Sequence, residues 1–198
     1  LASDIPVGRG LSSSAALTIA TGRVLRALFS VPIDDVALAG LARRAETEFV
    51  GAPIGIMDQM ACSLADTATA LFLDTRTLAY VRVPLPPGSA LVVIDSGVAH
   101  DHAAGQYRVR RAECTEAAAR LGVLELRDAE DLADVARLPA PLDRRARHVV
   151  TENARVLAAV EALRAGDCRR AGALFDESHA SMRDDFEISV PAIDRLVG

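Results

Sequence analysis

Two glycines and three serines crowd the segment Gly8-Arg9-Gly10-Leu11-Ser12-Ser13-Ser14, which runs straight into an apolar helical pattern of Ala15, Ala16, Leu17, Ile19, Ala20, Val24, Leu25 and Leu28. Glycine lets the backbone turn so that successive N–H groups converge, and a helix start adds the positive end of its dipole. Such a loop can cradle a di- or triphosphate, and the hydroxyl of Ser13 or Ser14 can donate to phosphate or ligate Mg²⁺. A plain helix-capping loop, with a serine as the N-terminal cap, has the same composition, so the pattern alone leaves both open. The chain contains no Lys, and all 22 basic residues are Arg. That excludes, within these residues, a P-loop lysine, a Schiff-base lysine and a Ser–Lys hydrolase. The dinucleotide fingerprint is excluded as well, because Ser13 stands where its third Gly or Ala belongs.

Other residue types could carry chemistry. Asp58 follows the apolar pair Ile56-Met57; a carboxylate there can take or orient a hydroxyl proton, or merely cap a turn. Glu46 lies on the helical stretch Asp34–Val50 and on its own reads as a solvated surface carboxylate. Tyr107, one of two tyrosines, suits a core edge or a ligand contact. Arg108, Arg110 and Arg111 read as a solvated helix face rather than a phosphate patch. In His100-Asp101-His102 two imidazoles flank a carboxylate, but adjacent residues rarely converge on one transition metal and no fourth ligand stands nearby. A Ser–His–Asp hydrolase built on Ser13 and His100 lacks the Gly-x-Ser-x-Gly elbow. Cys62, Cys114 and Cys168 are scattered and odd in number, as expected of isolated thiols in a reducing cytosol.

The elements that must position these residues can be read from periodicity. A helix follows the serine loop and is broken at Pro32; Asp34 or Asp35 can cap the next one, with Leu38, Leu41, Ala42, Ala45 and Phe49 at helical spacing. Gly51, Pro53 and Gly55 form a loop that delivers Asp58. Thr69 to Leu73 and Tyr80 to Val83 read as a strand pair turning at Asp74, Thr75 and Arg76. Pro84, Pro86, Pro87 and Gly88 punctuate a boundary between domains 1–88 and 89–198. Leu91 to Ile94 reads as a short buried strand. Helices are expected over about 105–121, 128–137, 143–165 and 167–183, with Gly122 and Gly166 as C-terminal caps. Helices and a hairpin, then a strand and more helices, make an α+β fold rather than an alternating parallel sheet. With 198 residues, 51% of them hydrophobic, a packed core is feasible; the net charge of −5 argues against general nucleic-acid or anionic-membrane binding. No apolar run approaches the ~20 residues of a membrane span.

Taken together, Val7-Gly8-Arg9-Gly10-Leu11-Ser12-Ser13-Ser14-Ala15-Ala16 resembles the second signature motif of the GHMP kinases, and Gly55-Ile56-Met57-Asp58-Gln59 is similar to the segment that carries the catalytic Asp of the galactokinases in that superfamily. Tyr107 to Cys114 and Ser178 to Phe186 are also galactokinase-like and fall in the family's order, so the likeness runs over essentially the whole chain. The resemblance implies a two-domain GHMP kinase fold. Residues 1–88 would be part of the ribosomal protein S5 domain 2-like, ATP-binding N-terminal domain, and 89–198 the first part of a ferredoxin-like C-terminal domain. It implies an enzyme that transfers the γ-phosphate of ATP to the C1 hydroxyl of galactose, giving the galactose 1-phosphate of the Leloir pathway. Asp58 would be the base, Gly8, Gly10, Leu11, Ser12, Ser13, Ser14 and Ala15 would hold the nucleotide, and Ser14 and Glu46 would ligate Mg²⁺, with Glu48 as the alternative ligand. Gly55, Asp58 and Tyr107 would contact the sugar. A cytoplasmic monomer is expected, with the small sugar and ATP as partners and neither nucleic acid nor membrane.

Galactokinases also carry an N-terminal sugar-recognition segment and a late Gly-rich motif. Neither is found here, so the chain is expected to be the central portion of a longer protein, inactive by itself. An N-acetylgalactosamine kinase and a non-catalytic galactose- and ATP-sensing relative are the competing readings; the intact Ser12-Ser13-Ser14-Ala15-Ala16 run favours catalysis.

Overall fold

The computed structural model describes residues 2–52, 54–98 and 103–198, and for 103 and 104 the backbone only. His100, Asp101 and His102, and with them the weighed metal and hydrolase readings, lie outside the described residues, as does Pro53. The chain divides into two compact units, the first running to Leu85 and the second taking up the chain at Pro86.

In the first unit, α1 (Ser13–Leu28), α2 (Asp35–Arg44) and α3 (Met57–Leu64) pack with a hairpin of β1 (Thr69–Leu73) and β2 (Tyr80–Pro84). The apolar stripes of the three helices meet in a core of Ile19, Leu38, Ala39, Ala42, Met60 and Leu64, joined by Leu71 and Leu73 of β1. Gly22 permits the close approach of α1 and α2, since a Cβ there would lie 2.6 Å from Leu38 Cδ1. Asp34 caps α2 by accepting from the Ala37 N–H at 2.7 Å, as its position before the periodic run predicts. The strands pair antiparallel with Leu71 opposite Arg82. Arg82 reaches back to donate to the Leu64 carbonyl at 2.7 and 3.0 Å, tying the sheet to the C-terminal end of α3. Sequence periodicity did not announce α3, which is short and begins directly from the Gly55 loop.

The regular elements of the second unit's described residues are all helical: α4 (Ala103–Leu121), a 3₁₀ turn at Leu126–Asp128, α5 (Leu132–Val135), α6 (Leu142–Arg164), α7 (Cys168–Asp184) and α8 (Pro191–Val197). Long α6 packs against both α4 and α7. Gly122 and Gly166 take φ of +70° and +69°, the left-handed values that end a helix without steric cost. Two expectations need correction. The helix foreseen over 128–137 is a 3₁₀ turn followed by a single turn of α-helix, because Asp131 accepts from the Ala133 N–H and restarts the helix there. Leu91 to Ile94 forms no strand and is 60–83% exposed: a strand exists only through a neighbouring ladder, and no described strand lies beside it.

Arg110 departs from the solvated face expected of it. It donates to the Phe186 carbonyl at 2.6 Å and pairs with Glu113 at 2.8 Å. Beside it Arg145, 2% exposed, pairs with Glu113 at 2.8 Å and Glu187 at 2.6 Å and donates to the Asp185 carbonyl at 2.6 Å. Arginine's planar fork satisfies three acceptors at once, which a lysine could not do in one plane. Cys114 is half-buried next to this cluster; burial, then the Glu113 charge, push its thiol up to about 11, so it stays protonated and unreactive at neutral pH.

His148 is buried on α6 and stacks on Phe186 with ring centroids 4.4 Å apart. Ser181 donates to the Asp185 carboxylate at 3.1 Å, so His148 Nδ1–H is the donor to Ser181 Oγ at 3.0 Å. Burial pushes the imidazole below its ordinary value, ahead of an opposing pull from Glu152. The sign follows: near pH 6.5 the unfolded chain takes up a proton that the folded ring resists, so stability falls on acidification below that value. Glu113 and Glu187, lowered by their arginines, contribute stability above the ordinary carboxylate value and lose it only at lower pH. Urea midpoints between about pH 7.5 and 5.5 should therefore drop, and His148→Asn should flatten that drop.

Candidate active site

The serine loop turns through three left-handed residues, Gly8 at φ +73°, Gly10 at +75° and Ser12 at +52°. Glycine takes this conformation freely; for Ser12 it costs about 1 kcal/mol. The serine cap expected for α1 is present only in position, since Ser12 makes no side-chain capping bond. The first helical bond runs from Ala16 N–H to Ser12 O at 2.9 Å, and among the described residues the N–H groups of Ser13, Ser14 and Ala15 find no backbone acceptor. Three donors at a helix start, with exposed Ser14 beside them, are the groups by which helix starts take up anions. Leu11 is exposed on the loop, whereas Ala15 is 1% exposed and anchors the helix in the core.

α2 continues into a π-helical turn, Ala45–Phe49. The extra residue per turn separates the fates of the two nearby glutamates. Glu48 points outward and pairs with Arg44 at 3.1 Å. Glu46, contrary to a surface reading, is 6% exposed. Its Oε1 accepts from Gln59 Nε2 at 2.8 Å and lies 3.2 Å from the Thr18 hydroxyl, and it forms no ion pair among the described residues. Thr18 is one helical turn past Ser14, and Gln59 adjoins Asp58. Glu46 thus connects the helix of the serine loop to the helix of the candidate base. Neither Thr18 nor Gln59 was singled out from sequence; a hydroxyl four residues after Ser14, and the Gln that ends Gly-Ile-Met-Asp-Gln, were the available signals.

Asp58 sits in the first turn of α3, half-buried, and neither a hydrogen bond nor an ion pair engages it among the described residues. Gly55 is exposed on the loop leading into that helix. Burial, followed by the charges of Asp58 and Glu46, pushes the Cys62 thiol above its ordinary value. The serine loop, Glu46, Gly55 and Asp58 all belong to the first unit. Tyr107, 45% exposed on α4, belongs to the second unit.

A divalent cation suits this donor set. Ser14 and Glu46 offer only oxygen, Glu46 is a buried carboxylate lacking a cationic partner among the described residues, and the buried Gln59 Oε1 accepts no bond. No cluster of three or more His, Cys, Asp or Glu side chains suited to a metal occurs among the described residues. Few protein ligands are what Mg²⁺ needs when substrate phosphates and waters complete its shell.

Residues 1–66 match the family described as the GHMP kinases N terminal domain. Beyond that domain, the whole chain is 44% identical, over 203 residues, to galactokinase of Glaesserella parasuis serovar 5 (strain SH0165), covering 53% of that protein. It superposes on the crystal structure of Lactococcus lactis galactokinase complexed with galactose with a TM-score of 0.82 and 30% identity, over 98% of this chain and 52% of that one. The chain thus has the α+β galactokinase fold and spans about half the length of the curated relative it matches. Among the described residues, no helix is long and apolar enough to cross a membrane.

Proposed function

We propose that the protein carrying this chain is a galactokinase that phosphorylates galactose at C1 with ATP. The single observation that carries the mechanism is buried Glu46, which accepts from Gln59 on the helix of Asp58 and lies 3.2 Å from the Thr18 hydroxyl on the serine-loop helix. In this reading the N–H groups of Ser13, Ser14 and Ala15 and the turns at Gly8 and Gly10 hold the phosphates of ATP. Ser14 and Glu46 would hold Mg²⁺, which supplies charge neutralisation along the phosphates. Asp58 orients the C1 hydroxyl and accepts its proton as the sugar oxygen bonds to the γ-phosphorus and the bond from that phosphorus to the β–γ bridging oxygen breaks. ADP and galactose 1-phosphate leave. Gly55 and Tyr107 are assigned to the sugar by likeness to the galactokinases, and residues 1–88 and 89–198 to parts of their two domains. The reading extends to a cytoplasmic monomer.

Coupled ADP release from the full-length natural protein tests this, with galactose and N-acetylgalactosamine as separate substrates. Galactose-dependent release, with N-acetylgalactosamine poor, is the expected result. Preference for N-acetylgalactosamine would reassign the substrate, and release with neither sugar would overturn the assignment as a kinase of these sugars.

A further inference from the structure

Gln59 is 0% exposed and directly precedes the core residue Met60 on α3. A buried carboxamide is retained at a cost when one of its atoms goes unbonded, and Gln59 Oε1 is such an atom among the described residues. Its other end is engaged: Nε2 donates to Glu46 Oε1 at 2.8 Å. Thr18 cannot replace it. The Thr18 hydroxyl has one proton and three acceptors within reach, Ala15 O at 3.0 Å, Ser14 O at 3.1 Å and Glu46 Oε1 at 3.2 Å, and the two helix carbonyls are nearer. Gln59 is therefore the donor that fixes the Glu46 rotamer, while the second carboxylate oxygen accepts no hydrogen bond among the described residues. Consecutive helical residues point about 100° apart. Asp58 can thus face outward while Gln59 faces the core, on one rigid turn.

We propose that Gln59 is a positioning residue: it holds Glu46 so that the free carboxylate oxygen is presented to the divalent cation of the nucleotide, in register with Asp58. This rests on the kinase reading above. Outer residues that orient a ligating carboxylate are worth about 10- to 100-fold in metal affinity.

The test uses the full-length natural protein and Mn²⁺ as the metal probe. Mn²⁺ affinity in the presence of ADP is measured by electron paramagnetic resonance, and galactose affinity by calorimetry. Gln59→Leu should weaken Mn²⁺ about 10- to 100-fold with galactose affinity as in the unaltered protein. Gln59→Met, equally without a donor but more adaptable in shape, should match it. Mn²⁺ affinity unchanged in both variants would overturn the proposal. Equal loss of Mn²⁺ and galactose binding in both would also overturn it, making Gln59 a folding residue only. If the unaltered protein with ADP retains no Mn²⁺, the metal site itself fails, a result distinct from failure of Gln59.

Discussion

Asp58→Asn is expected to lower turnover by about 10²- to 10⁴-fold while leaving Mg·ATP affinity as in the unaltered protein. The asparagine keeps the size and the helical position of the carboxylate but cannot accept a proton. Asp58 is free for such a role: it is half-buried at the start of α3, and no described side chain holds it in an ion pair or hydrogen bond. Its loss should therefore cost chemistry and not folding, and thermal unfolding should be little changed. The proposed phosphate cradle lies on a different element, the start of α1, which is why nucleotide affinity should survive. Stopped-flow turnover together with calorimetric Mg·ATP binding separates the two effects. Turnover near that of the unaltered protein would remove Asp58 from its assigned role.

The largest expected loss of stability is at Arg145. Its side chain is 2% exposed and binds Glu113, Glu187 and the Asp185 carbonyl. Removing one partner of a buried pair leaves charge without compensation and costs about 3–5 kcal/mol. Because Glu113 keeps Arg110 as a partner, Glu187 keeps Arg144, and the two glutamates retain 19% and 40% exposure, part of that loss is recovered and Arg145→Met should fall at the lower end, about 3 kcal/mol. Arg137→Met supplies the contrast: its pair with Asp134 is exposed on both sides, and its loss should cost about 0.2–1 kcal/mol. Denaturant unfolding of the two variants checks the difference. Equal effects would mean that the Arg145 cluster contributes no more than a surface pair.

Much of this was legible in residue types and spacing. The serine loop feeding α1, the Asp34 cap, the hairpin from Thr69 and the ends of α4 and α6 at glycines all arise from local chemistry, and local chemistry is what a sequence displays. The burial of Glu46 was not legible, because it depends on a π-helical turn that rotates Glu46 inward and Glu48 outward, and on Gln59, thirteen residues away. The inward turn of Arg110 and Arg145 was hidden for the same reason: their partners at Asp185, Phe186 and Glu187 are distant in sequence. Leu91 to Ile94 has the composition of a strand, but pairing belongs to a neighbour and not to the segment itself. Asp58 stands out by its motif; the helix that carries it does not, since eight residues are too few to show a clear period.

In the proposed reaction the serine loop, Glu46 and Asp58 serve one phosphoryl transfer to the anomeric hydroxyl of galactose. Phosphorus NMR of the full-length natural protein with ATP, Mg²⁺ and galactose tests it most directly. A phosphomonoester resonance coupled to the anomeric proton, growing in step with ADP, is the predicted result. Growth of inorganic phosphate alone, or of an ester at another sugar position, would contradict it.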